Sequence, residues 1–199
     1  LVLSGDGQEM ELRSLARRGK DQKWFMVKAT LAKERIEGSL QDVTEKVKAT
    51  DRLHFLAEHD PLTGILNRRG IEKEFDEAVA MLGDGVSMSL AYLDLDRFKL
   101  INDLFGHLAG DEVLKQVCER VRNMLTEGQS MGRVGGDEFV IVFKGTPIDS
   151  AAWVCRGIVD RIGNLPYQIG DRAFQVKGSI GLMEISESIR VKDAISVAD

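Results

Sequence analysis

Four carboxylates stand where two strands of this chain should end. "LAYLDLD" finishes in Asp94 and Asp96, and "GRVGGDEFVIVF" delivers Asp137 and Glu138 directly after Gly135 and Gly136. Side chains in an extended strand alternate with a period of two, so Asp94 and Asp96 share a face. A second strand that begins at the glycine turn and pairs beside the first would bring Asp94 and Asp137 together at one end of a sheet. Taken singly, acids at strand ends are ordinarily solvated. Held together with few counter-charges, they call for a hard cation that prefers oxygen, and Mg²⁺ fits that demand best.

The segment between them, "DLDRFKLINDLFGHLAGDEVL", interleaves Lys99, Asn102, His107 and Asp111 with Phe98, Ile101 and Phe105 around Gly106 and Gly110. It reads as a binding loop leading into a helix that starts at Asp111. A carboxylate there can accept two parallel hydrogen bonds from the N1–H and N2–H₂ edge of guanine, and the Asn102 amide offers both a donor and an acceptor. Adenine would present an acceptor where the carboxylate needs a donor. The plainer alternatives are a helix-start carboxylate for Asp111, favoured by the helix dipole, and a turn residue for Asn102.

These residues need a scaffold. "NRRGIEKEFDEAVAML" has the spacing of an amphipathic helix, and "VSMSLAYLDLD" is a strand apolar on both faces through its middle, as a central strand must be. A helix over "DEVLKQVCERVRNML", the glycine hairpin, a helix over about 149–163, a strand over 173–185 and the start of a last helix complete the run. The fold class is α/β with a partly antiparallel sheet, because Gly135-Gly136 reads as a two-residue hairpin connection of the kind that needs positive φ. Upstream, residues 9–16, 23–32 and 35–42 read as three strands of an antiparallel meander. Asp42 with Glu45 makes a capping pair for a charged helix that runs to about Glu58, before Asp60-Pro61 interrupts it. Its apolar positions Val43, Val47, Leu53 and Leu56 suit a solvated linker and a dimeric coiled coil equally.

Composition narrows the function classes. The chain has 199 residues, 43% of them hydrophobic, enough for one or two small domains with a real core. Its formal net charge of −5 gives no field to attract a polyanion, so nucleic acid is not an expected partner. No apolar run is long enough to span a membrane, and no signal-peptide pattern opens the chain. Cys118 and Cys155 lie in apolar helical surroundings without a CxxC motif or His cluster, which predicts reduced core thiols in a cytoplasmic protein. The chain opens at Leu1 and stops at "ISVAD" in what reads as the beginning of a helix, which suggests a fragment cut at both ends.

In this order and with these gaps, "DPLTGILNRRG", "DLDRFKLINDLFGHLAGDEVL" and "GRVGGDEFVIVF" closely resemble the GGDEF family of diguanylate cyclases over about residues 60–199. "KWFMVKATLAKERIEGSLQDVTEKV" resembles the last three strands of a PAS domain with its Asp42-Val43-Thr44 exit. The resemblance divides the chain into PAS strands over 1–44, a signalling linker helix over 45–60 and a GGDEF domain over 61–199. It implies a nucleotide-cyclase-like palm with a mostly antiparallel central sheet, which condenses two GTP into cyclic di-GMP and pyrophosphate across a homodimer.

By motif position, Asp94, Asp137 and the Leu95 carbonyl match the family's Mg²⁺ ligands, with Mn²⁺ as an alternative metal. Asp137 is also its proposed proton acceptor, and Lys99 its transition-state lysine. Asn102 and Asp111 would read guanine, with His107 a further substrate contact. The backbone of Phe98 and Lys99 would lie near the phosphates, Glu138 would assist metal or proton transfer, and Gly135 and Gly136 would let the backbone approach the triphosphate. A lysine and an arginine that hold phosphates in the family fall beyond Asp199. The Arg-x-x-Asp motif by which many members bind their product is replaced here by Thr126, Glu127, Gly128 and Gln129. A silent GTP-binding module and a PAS-driven dimerisation unit are the competing classes.

Overall fold

The computed structural model describes residues 8–13, 23–32, 35–82 and 87–185, and divides the chain into two compact units that meet between Phe55 and Leu56. In the first unit β1 (Gln8–Arg13), β2 (Trp24–Ala32) and β3 (Arg35–Asp42) form an antiparallel meander in that order. The meander matches the expected one, except that residues 14–16 of its first strand lie outside the described residues. A built corner ends it. Asp42 accepts the Thr44 N–H at 3.0 Å, while the Thr44 hydroxyl accepts the Trp24 N–H at 2.9 Å and Val43 donates its N–H to the Trp24 carbonyl. The capping contact therefore runs to Thr44, the first residue of α1 (Thr44–Glu58), rather than three residues on to Glu45. Leu53 and Leu56 are exposed along α1.

The second unit is built on a five-stranded sheet of order β10-β5-β7-β6-β4, comprising β4 (Leu66–Asn67), β5 (Met88–Asp96), β6 (Gln129–Arg133), β7 (Glu138–Lys144) and β10 (Lys177–Glu184). All neighbours are antiparallel except β4 and β6. The sheet is thus mostly antiparallel, with β5 near its centre as its two-sided apolar pattern required. Period-two alternation sends Ala91, Leu93, Leu95, Phe139, Ile141 and Phe143 into one core, which α4 (His107–Arg122) and α5 (Ile148–Asn164) cover. Leu90, Tyr92, Val140 and Val142 face the other core, closed by Ile71, Phe75 and Ala78 of α2 (Arg68–Val79). Truncating a fully buried member such as Leu93 or Ile141 to alanine should cost about 2–5 kcal/mol.

Local chemistry fixes how these layers meet. Asn67 caps α2 by accepting the Gly70 N–H at 2.9 Å, and its amide donates to the Ala57 and His59 carbonyls at 3.2 Å. An added Cβ at Gly132 would stand 2.5 Å from Ile71 Cβ, so α2 packs directly on the β6 backbone. Two expectations need correction. The strand expected over 173–185 is β10 alone; residues 173 and 174 belong to a separate small hairpin, β8 (Tyr167–Ile169) with β9 (Arg172–Phe174), turned by Gly170 at φ 57°. The expected loop before Asp111 is helical: α3 (Phe98–Phe105) and α4 follow one another with only Gly106 between them. The expected last helix lies outside the described residues.

Candidate active site

The two strand ends meet. On the β5–β7 ladder Asp94 is opposite Glu138, and on the β10–β5 ladder it is opposite Ser179. Directly opposed residues share a face, so Asp94 and Glu138 put two carboxylates on one side of the sheet end, an arrangement that like charge disfavours unless a cation offsets it. Asp137 is one residue earlier, half-buried, and its carbonyl accepts the Leu95 N–H at 3.3 Å. Asp96 is exposed and takes the Ser179 hydroxyl at 2.9 Å. The Asp94 and Asp137 carboxylates with the Leu95 carbonyl are a hard-oxygen donor set. Among the described residues no group of three or more His, Cys, Asp or Glu side chains is arranged to hold a metal ion. Oxygen donors of this kind suit Mg²⁺, which is usually held by one or two carboxylates together with substrate phosphates rather than by an all-protein cage.

The hairpin that carries Asp137 differs from the expected one. Four residues, 134–137, connect β6 to β7, and neither Gly135 nor Gly136 lies in the left-handed region. The Val134 N–H donates to the Glu138 carbonyl at 3.0 Å and closes the turn. Space bears on Gly135 alone: a Cβ there would meet the Glu138 carboxylate, whereas one at the exposed Gly136 would meet nothing within 4 Å. Gly136 thus leaves the backbone open to an approaching ligand.

Outside the turn, the Arg133 guanidinium donates to the Gly135 and Gly136 carbonyls and contacts Asp60 at 3.3 Å, and Arg68 donates to the Val134 carbonyl at 2.7 Å. Burial by itself would raise the Asp60 carboxyl, but the Thr63 hydroxyl and N–H and the Arg133 charge outweigh it and hold Asp60 below the usual carboxylate range. The parts played by Asp60, Thr63 and Arg68 escaped sequence reasoning. Their signal was present in "DPLTGILNRRG", which was read for its family resemblance and for the helix break at Asp60-Pro61, with no role given to these side chains.

The second group of candidates stands on the α3–α4 corner. Phe98 is buried beneath it, Lys99 is exposed on the first turn of α3, and His107 is exposed at the start of α4. Asn102, half-buried on α3, lays its side-chain oxygen across Gly110 of α4, so closely that a Cβ at Gly110 would overlap it and would stand 3.1 Å from the Phe98 ring. Asp111 follows Gly110 and is also half-buried. The corner therefore brings Asn102 next to the backbone that carries Asp111, and the pair is presented by helices rather than by a loop. Asp111 is the fifth residue of α4, so it is not the helix-start carboxylate of the plainer reading.

Comparison with known proteins gives the family of this fold. Residues 57–199 match the family "Diguanylate cyclase, GGDEF domain". The chain is 35% identical over 141 residues to "Cyclic di-GMP phosphodiesterase PdeR" of Escherichia coli (strain K12), covering 71% of this chain and 21% of that protein. It is 32% identical over 161 residues to "Diguanylate cyclase DgcP" of Pseudomonas aeruginosa, covering 75% and 24% respectively. The chain thus spans about a fifth of the length of such curated relatives. Among solved structures, diguanylate cyclase SiaD of Pseudomonas aeruginosa, crystallised with its activator SiaC, is similar with a TM-score of 0.66 at 31% identity, over 78% of this chain and 62% of that one. With the match covering most of the chain and the carboxylates meeting at the strand ends, the chain belongs to the GGDEF diguanylate cyclase domain family.

Proposed function

We propose that this chain condenses two molecules of GTP into cyclic di-GMP and pyrophosphate, with residues 61–199 as the cyclase domain, 45–60 as a signalling linker and 1–44 as the end of a regulatory PAS domain. The observation that carries the reading is the meeting of Asp94 with the Asp137–Glu138 turn at the open end of the sheet. Asp94, Asp137 and the Leu95 carbonyl would hold Mg²⁺. Bound there with the triphosphate, the ion would supply charge neutralisation for in-line attack on the α-phosphorus. Asp137 accepts the proton of the attacking 3′-hydroxyl, and Glu138 assists beside it. The Lys99 ammonium stabilises charge that develops on the phosphates, and the exposed Gly136 lets them approach the backbone.

Asn102 and Asp111 select guanine through its N1–H and N2–H₂ edge, with His107 as a further contact. Each GTP must offer its hydroxyl to the other's phosphorus, so two identical half-sites face one another across a two-fold axis in a homodimer. Incubating the protein with GTP and Mg²⁺ and resolving the nucleotides by chromatography tests the reading. Cyclic di-GMP with release of pyrophosphate is expected, and unchanged GTP overturns it.

A second reading, a GTP-binding module that regulates another domain without turnover, draws on one observation: a relative 35% identical over this region is named as a cyclic di-GMP phosphodiesterase. Saturable GTP binding with no product selects it.

A further inference from the structure

The turn that presents Asp137 is held from outside by side chains that the proposed chemistry does not use. Its three consecutive carbonyls, at 134, 135 and 136, all accept from guanidinium groups. Arg68 reaches the Val134 oxygen with Nε at 3.2 Å and Nη2 at 2.7 Å. Arg133 reaches the Gly135 oxygen with Nε at 3.1 Å and the Gly136 oxygen with Nη2 at 2.7 Å. The remaining nitrogen of Arg133, Nη1, lies 3.3 Å from both carboxylate oxygens of Asp60. Both partners of that ion pair are largely shielded, at 16% and 17% side-chain exposure, so it is not the freely solvated kind that contributes little. Asp60 is fixed in turn by the Thr63 hydroxyl at 2.6 Å and the Thr63 N–H at 2.9 Å.

Peptide geometry converts this clamp into a direction. The chain has no cis peptide bond among its described residues, and in a trans peptide the C=O and the following N–H point oppositely. With the Gly135 and Gly136 oxygens turned toward Arg133, the N–H groups of Gly136 and Asp137 are turned away from it. Successive backbone N–H groups aimed one way form a concavity suited to an anion.

We propose that Arg133, braced by Asp60 and assisted by Arg68, is a positioning residue for nucleotide binding: its fork sets the turn so that the Gly136 and Asp137 amides and the Asp137 carboxylate receive a metal-bound triphosphate. The inference rests on the reading of this site as a GTP site. A lysine cannot replace the arginine, because one ammonium cannot serve two carbonyls and a carboxylate in a fixed plane.

Amide hydrogen exchange on the intact protein, compared between wild type, Arg133→Gln and Arg133→Lys, is the test. Exchange at Val134, whose N–H donates to the Glu138 carbonyl across the turn at 3.0 Å, and at Leu95, whose N–H donates to the Asp137 carbonyl at 3.3 Å, should quicken by about tenfold or more in both variants while the Val140 and Val142 amides of β7 keep their protection. In the same variants kcat should fall by about tenfold to a hundredfold with a smaller change in KM, since guanine recognition at Asn102 and Asp111 is not touched. Should Arg133→Gln fail to fold, Asp60→Asn, which removes the brace and leaves the fork, is expected to show the same local exchange to a lesser degree. Unchanged exchange at Val134 and Leu95, or equal acceleration throughout β7, overturns the proposal. A wild-type protein that makes no cyclic di-GMP overturns the cyclase reading alone, because the exchange measurement needs neither metal nor turnover.

Discussion

Asp94 stands across the β5–β7 ladder from Glu138 and not from Asp137, whose backbone carbonyl instead takes the Leu95 N–H at 3.3 Å. The main chain of Asp137 is thereby tied to the residue whose own carbonyl completes the proposed metal site. The Asp137 side chain leaves from the last position of the turn, before the ladder begins.

Asp137→Asn is therefore expected to fold normally and lose turnover. The replacement is nearly isosteric, but a neutral amide is a poor ligand for Mg²⁺ and cannot accept the proton, so a loss of about a hundredfold or more is expected. Product formation measured alongside the thermal transition checks it; near-normal turnover would remove Asp137 from the metal site.

Asp111→Asn should weaken GTP binding by about 1–3 kcal/mol, since the amide offers one acceptor where guanine presents two donors. Calorimetric titration with GTP measures this. Unchanged affinity would move guanine recognition away from α4.

Gly110→Ala probes the same recognition from beneath. The new methyl would overlap the Asn102 side-chain oxygen and press on the Phe98 ring, so either Asn102 swings away or the two helices part. Overpacking of this kind costs about 1–3 kcal/mol, and GTP affinity should fall with it. A variant of wild-type stability and wild-type affinity would show that Asn102 is not held where it is seen.

Cyclic di-GMP should not bind tightly beside residues 126–129. Gln129 turns its side-chain oxygen to the Thr126 N–H at 3.1 Å, and Arg133 is engaged with Asp60 and the hairpin. Of the two nearby arginines only Arg122 lines the adjoining cavity, with His59, Thr126, Gln129 and Ser130, and its volume of about 290 Å³ is at the lower edge of the range for small-molecule clefts. Titration of the protein with cyclic di-GMP tests this. Sub-micromolar binding that disappears on mutating residues 126–129 would refute it.

Neither cysteine should react in the folded protein. Burial pushes the Cys118 thiol up to about 12 and the Cys155 thiol up to about 11, against 9.0 for a free thiol. Their folded values lie above the unfolded one, so the stability they contribute is complete below pH 9 and drains away between about 9 and 12. At pH 8 a thiol reagent should label them only as fast as the protein unfolds; immediate labelling would contradict their burial.

Much of this architecture could be read in advance wherever a periodic pattern met a turn signal. Leu90 to Leu93 are apolar on both faces, and Asn67 stands where a helix cap belongs, so β5 and α2 were legible. The α3–α4 corner was not, because Gly106, Gly110 and the polar residues between Lys99 and Asp111 dilute the helical period. The spacing of Phe98, Ile101 and Phe105 was the surviving clue. Gly135-Gly136 misled for the opposite reason: a strong local turn preference was overridden by the Arg68 guanidinium, which comes from 66 residues away, together with Arg133, whose side chain folds back on its own turn in a way that no spacing rule encodes. The β8–β9 hairpin carried a legible Gly-Asp turn signal at 170–171 that went unused, and the last two residues of β9 were absorbed into a longer strand.

Gly106 ends α3 and begins α4 with φ 84° and ψ 162°, a conformation that residues bearing a Cβ almost never adopt. The separation between Asn102 and Asp111 is consequently set by a single pair of backbone torsions at a residue that brings no side chain to either, and whose N–H donates to the Asn102 carbonyl at 2.8 Å. In the proposed guanine site, base preference would thus have a mechanical adjustment screw. Changes at residue 106 would retune which purine edge fits without altering any group that contacts it, and the position is closed to every ordinary side chain for the same reason.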